Sequence, residues 1–228
     1  MSIARALLAS LSCVSMCSPT FAAEAAKKAP AQRNTIVQGE RTLEVVDLTP
    51  RFIDFYQAAA AADPETRWTL WNEKYGFAAV PPTPEGMKMA QGMLDAAWPR
   101  YANALPLIRQ GAGAVEPRPE VVLRKVADLL GLHKPFVMQV TVYVGAFDGN
   151  AFTAAPQGKP IVAIPIEMDA SQREAVFPHE MTHAVHIATA GLTGGWERSI
   201  AESFAEIARI PSAEMPAVVR AVIETRGK

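Results

Sequence analysis

The residues best equipped for chemistry are His179-Glu180-Met181-Thr182-His183, an H-E-x-x-H run inside a helix-like stretch. On a helix of 3.6 residues per turn, positions four apart share a face. His179 and His183 can therefore aim two imidazole nitrogens at one metal ion, and two neutral imidazoles suit Zn²⁺. Glu180 sits about 100° around the same helix. That offset removes it from the ligand set but lets it reach a water bound to the ion, from which a carboxylate can accept a proton.

A catalytic zinc usually has three protein ligands and one open position. One solution places a third His six residues after the second, with a Gly between. Here that position is Thr189, and His186 stands where the Gly would be. The other solution takes a Glu from a second helix about 20 residues on. After a Gly191–Gly195 turn, Trp196, Ile200, Phe204 and Ile207 form an apolar helical stripe. Glu202 and Glu206, four apart, share another face.

With these residues in place, the chain resembles the gluzincins, the thermolysin-like zinc metallopeptidases. Their pattern is H-E-x-x-H, a ligand Glu about 20 residues on and an acid four further along. Here Glu202 follows His183 by nineteen residues, and Glu206 supplies the second acid. The resemblance implies His179, His183 and Glu202 as ligands of one Zn²⁺ per chain and Glu180 as general base. It implies Glu206 as the carboxylate that orients a ligand His, an ordinary outer-shell role. The string Ile200-Ala201-Glu202-Ser203-Phe204-Ala205-Glu206 is also similar to small secreted or membrane-linked proteins described as zinc-dependent proteases. Asn150-Ala151-Phe152 resembles the Asn-Ala-Phe of the thermolysin edge strand, which pairs with an extended substrate backbone. That marks Asn150 and Ala151 as substrate-binding candidates. The implied substrate is a peptide or protein. The resemblance spans roughly residues 136–210.

Two features depart from the family. Gluzincins use a His and a Tyr downstream of the third ligand to stabilise the oxyanion, and no His or Tyr follows Glu206. Tyr143, His186, Arg198 and Arg209 are the remaining candidates for that donor. His186 lies near the face of His179 and His183 but about 10 Å along the axis from His179. It fits a packing or rim position better than a ligand position. The missing donor keeps a second reading open, a zinc-binding but catalytically inactive protease-like binding or chaperone module. A third is a metal-free helical domain in which the motif is coincidence.

Composition narrows the field. Half of the 228 residues are hydrophobic and 20% are charged, which suits one globular domain with a real core. Arg5, the apolar run Ala6–Met16 and the small residues around Thr20-Phe21-Ala22 read as a secretory signal over 1–22. The implied location is periplasmic or extracellular. A second cut after Ala25 is also compatible. As an uncleaved anchor the run falls short of the ~20 residues that span a bilayer, so no stable membrane span is expected after cleavage. Neither Cys13 nor Cys17 has the Leu-x-Ala/Gly context of a lipid attachment signal. Both cysteines lie in the signal, so the mature chain has no disulfide, Cys nucleophile or thiolate zinc site. Cleavage removes Arg5 and no acid, leaving 21 of the 22 basic residues against 23 acidic ones, a net charge of −2. No basic patch suggests nucleic acid. Oligomeric state is not legible here.

These side chains need elements to hold them. An Ala/Lys/Pro/Gln-rich leader is expected over 23–35, then a single domain over 36–228 whose part 36–131 is helical. Thr49-Pro50, Asp63-Pro64-Glu65 and Thr83-Pro84-Glu85 read as helix starts. The expected helices cover about 49–62, 64–75, 84–97, 101–110 and 119–130. Strands are expected over 137–144, 151–155 and 161–166, followed by the motif helix, the Glu202 helix and a last helix over about 213–225. Pro178 either starts the motif helix or kinks it. Trp68, Trp71 and Trp98 read as packing residues, and His133 as structural. The expected fold is α+β, mainly helical, a zincin-like core with a small sheet packed on the H-E-x-x-H helix.

Overall fold

A computed structural model describes residues 28–132 and 134–190. In chain order the elements are strands β1 (Gln32–Gln38) and β2 (Arg41–Asp47), helices α1 (Thr49–Ala58), α2 (Pro64–Lys74), α3 (Pro84–Ile108) and α4 (Pro119–Leu129), strands β3 (Phe136–Tyr143), β4 (Phe152–Ala154) and β5 (Ile161–Pro165), and helix α5 (Ala170–Ala190). The architecture is α+β, as expected. Short 3-10 turns lie at Gly111–Ala114 and Pro156–Gly158. None of the described helices is long and apolar enough to cross a membrane.

The strands form one mixed sheet in the order β1-β2-β3-β5-β4. The β2–β3 and β3–β5 pairs are parallel, and the outer pairs β1–β2 and β4–β5 are antiparallel. Leu43, Val45, Met138, Val140, Val142, Val162 and Ile164 alternate along three strands and are all buried. The register sets Val45 opposite Val140, and Val140 opposite Val162. Thr153 of β4 pairs with Val162, so it lies on this same face. Its hydroxyl touches Glu180 of α5, which identifies α5 as the helix covering that face. On the other face Phe77 packs on Tyr143 and Phe152, with ring centroids 4.8 and 6.4 Å apart. Phe52, Phe55, Tyr75, Trp98 and Tyr101 carry an aromatic cluster through α1, α2 and α3. Trp68 and Trp71 stack at 4.7 Å on α2, and with Trp98 they lie in or against the core, as read from the sequence.

The helix starts follow their caps. The Asp63 side chain accepts from the backbone N–H of Glu65 and Thr66, and Thr83 Oγ1 accepts from Gly86 N. Two expectations change and one open alternative is decided. Residues 32–35, assigned to the leader, belong to β1, and the part expected to be helical opens with the β1–β2 hairpin. Its turn rests on Gly39 at φ +62°, a conformation glycine adopts without Cβ strain. The two helices expected over 84–110 are one 25-residue helix that runs through Pro99 and Pro106. Its buried face, Ala90, Leu94, Ala97, Tyr101 and Ile108, continues past both prolines, so packing holds what local preference would break. Of the two readings left open for Pro178, the structure selects the one inside the helix: the motif helix runs from Ala170 to Ala190.

Candidate metal centre

The start of α5 is fixed first. Asp169 Oδ1 accepts from Ser171 N and Ser171 Oγ at 2.9 and 2.6 Å. The buried Arg173 donates to the carbonyls of Ile166 and Met168 at 2.9 and 2.6 Å and to that of Glu116 at 3.2 Å. These bonds clamp the helix to the exit of β5 and to the segment before α4. Phe177, Met181, Ala184 and Val185 are all fully buried. Their spacing of four, three and one makes a single inward stripe. Helical geometry then turns His179 and His183 away from that stripe.

The two imidazoles converge. His179 Nε2 and His183 Nε2 lie 3.1 Å apart, with the rings edge to face at a centroid distance of 4.7 Å. Two Zn–N bonds of about 2.0–2.1 Å at a tetrahedral angle set their nitrogens about 3.3–3.4 Å apart. The observed pair fits two corners of such a site. Glu180 Oε1 lies 4.0 Å from His179 Nε2. Glu180 Oε2 and the Glu180 backbone carbonyl each lie 2.8 Å from Thr153 Oγ1. Burial pushes the Glu180 carboxyl above the usual carboxylate range; the Thr153 hydroxyl and the nearby His179 pull it back.

The remaining candidates fall in different places. His186 is half-buried, and burial lowers its pKa below the ordinary histidine value. Tyr143 is buried, and its hydroxyl donates to the Asn150 carbonyl. That bond holds the β3–β4 connection. Asn150 and Ala151 lie in the turn before β4 rather than on the strand. The Asn150 side chain donates to Ala79 O at 2.9 Å, tying the turn to the segment after α2, and Ala151 N donates to Gly149 O at 3.1 Å. Phe152 does open β4, the outer strand of the described sheet. Glu202, Glu206, Arg198, Arg209 and His133 lie outside the described residues. Among the described residues no three His, Cys, Asp or Glu side chains gather as one ligand group. The described residues bring together the two imidazoles of the motif and no third ligating side chain.

Two residues with polar roles around β4 were missed in the sequence. Thr153 holds Glu180 across a 27-residue separation. Glu167 is a half-buried carboxylate beside the β3–β4 connection, accepting from Gly145 N at 3.1 Å and Phe147 N at 3.2 Å. A Cβ on Gly145 would lie 2.7 Å from Glu167 Oε1, so a larger residue there would have to displace the carboxylate. The placement of Thr153 after Asn150-Ala151-Phe152 was the one local signal, and it said nothing about Glu180.

No family model matches this chain, and neither the curated proteins nor the solved structures contain a match to it.

Proposed function

We propose that this chain is an exported, zinc-dependent metallopeptidase with a zincin-like core. The observation that carries the proposal is the convergence of His179 and His183 Nε2 at 3.1 Å, with the Glu180 carboxylate beside them and an outer strand against the same helix turn. His179 and His183 would hold the ion, with Glu202 as third ligand and Glu206 orienting one of the imidazoles. A zinc ion so held supplies Lewis-acid activation of a water and a carbonyl.

The chain's own residues supply the rest. Glu180 accepts the proton of the attacking water and returns it to the leaving amine. A carboxyl that burial raises is better matched to proton transfer near neutral pH than an exposed one. Among the described residues β4 pairs with β5 alone, and an outer strand edge of that kind can pair with an extended peptide. In the test, Glu180→Gln keeps zinc and loses turnover, whereas unchanged turnover sinks the mechanism.

A second reading, zinc binding without hydrolysis, draws on the Tyr143 hydroxyl being bound to Asn150 O. It predicts stoichiometric zinc and no cleavage across a peptide library.

A further inference from the structure

We infer that Thr153 is the positioning residue for Glu180: its hydroxyl holds one carboxylate oxygen so that the other faces the His179–His183 pair. The consequence for turnover rests on the peptidase reading above; the placement of the carboxylate does not.

Thr153 is the middle residue of β4, 2% exposed and in register with Val162. Its β-branched side chain has restricted χ1 freedom, so the strand fixes where the hydroxyl sits. Oγ1 lies 2.8 Å from Glu180 O and 2.8 Å from Glu180 Oε2. It grips Glu180 at both the backbone and the tip of the side chain. A hydroxyl has one proton and two acceptor lone pairs, enough to engage both oxygens in turn. With Oε2 held, Oε1 is the oxygen left 4.0 Å from His179 Nε2. The two oxygens of one carboxylate thus have different jobs, one anchored and one directed.

The ordinary behaviour of a threonine is visible on the same helix. Thr182 Oγ1 donates to Pro178 O and Thr189 Oγ1 to Val185 O, each four residues back and each at 2.8 Å. Those bonds are local and end on backbone alone. Thr153 differs on both counts. It reaches from a strand to a helix and ends on an ionisable side chain beside two potential metal ligands.

The test uses the full chain and three substitutions. Thr153→Val keeps the branched shape and removes the hydroxyl; Thr153→Ser keeps the hydroxyl; Thr153→Ala is a second hydroxyl-free variant should valine fail to fold. With zinc loaded and a quenched fluorescent peptide library as substrate, the valine variant is expected to lose about tenfold or more in kcat. Its KM should stay within about twofold. The serine variant should retain most of the rate, and zinc content should be unchanged in all. A readout without metal or turnover uses glutamate labelled with ¹³C at the carboxyl carbon. The Glu180 resonance is identified by its loss in Glu180→Gln. It should move in the valine or alanine variant and stay in place in the serine variant, while that of Glu167 serves as an unmoved reference. A Glu180 resonance that ignores loss of the hydroxyl, or that moves equally with serine, overturns the inference. If the wild type cleaves no peptide, the peptidase reading fails and the carboxyl resonance alone decides the role of Thr153.

Discussion

On one side of β4, residues 144–150 are sewn to the helices by bonds that end on backbone. Tyr75 OH donates to Val144 O and accepts from Val144 N, Tyr101 OH donates to Gly145 O, and Glu167 takes the N–H groups of Gly145 and Phe147. On the other side, α5 carries His179, Glu180 and His183: the two imidazole Nε2 atoms lie 3.1 Å apart, Glu180 Oε1 is 4.0 Å from His179 Nε2, and Glu180 Oε2 is 2.8 Å from Thr153 Oγ1. Both clusters contain a carboxylate that burial pushes up, Glu167 and Glu180. Glu167 has both oxygens occupied by backbone donors. Glu180 has one oxygen held and one directed at an imidazole pair. A polar group that ends on backbone stabilises a fold, and one left with an unspent atom beside similar groups can act on something else.

The largest expected effect separates the two clusters by activity. Replacing Glu180 with Gln should lower turnover by about 10²–10⁴-fold, the usual worth of a positioned acid or base, with zinc content and melting temperature close to wild type. A comparable loss on removing Glu167 would erase the contrast between the two carboxylates.

The second effect falls on stability alone. Tyr75→Phe leaves the buried carbonyl and N–H of Val144 without their partner. The expected cost is about 1–3 kcal/mol, read as a lower melting temperature with zinc binding intact. Loss of zinc in this variant would show that the two clusters are coupled.

The smallest effect is a pH dependence. Burial raises the Glu167 carboxyl, against the N–H bonds of Gly145 and Phe147. A pKa raised on folding contributes stability below the unfolded value of about 4.3 and loses it as pH rises through the folded value. Relative to Glu167→Gln, the wild type should therefore lose stability as pH rises from about 4 toward neutrality. Thermal melts of both proteins across that range check the sign, and an opposite slope would mean that the backbone donors outweigh burial.

What the sequence shows plainly is what helical and strand periodicity encode locally. The H-E-x-x-H spacing places His179 and His183 together because four residues make about one turn, and Asp63 and Thr83 announce their helices by capping. Strand β3 was legible from its β-branched run, and β4 and β5 as short segments on either side of the Pro156–Pro160 loop. The β1–β2 hairpin was missed because Gln32, Arg33, Asn34 and Thr35 are exposed and polar, so they carry no apolar alternation. Helix continuity through Pro99, Pro106 and Pro178 depends on buried faces that only the packed structure supplies. The Thr153–Glu180 and Gly145–Glu167 contacts join residues 27 and 22 apart, and no local pattern connects them.

The central claim is that the His179–His183 pair holds zinc, and elemental analysis of the purified full chain beside His183→Ala and Glu202→Ala tests it most directly. One zinc per wild-type chain, lost with His183→Ala and lost or much weakened with Glu202→Ala, is the predicted result. Zinc retained in Glu202→Ala would assign the third ligand elsewhere. A wild-type chain that binds no zinc, even after zinc is added back, would contradict the claim.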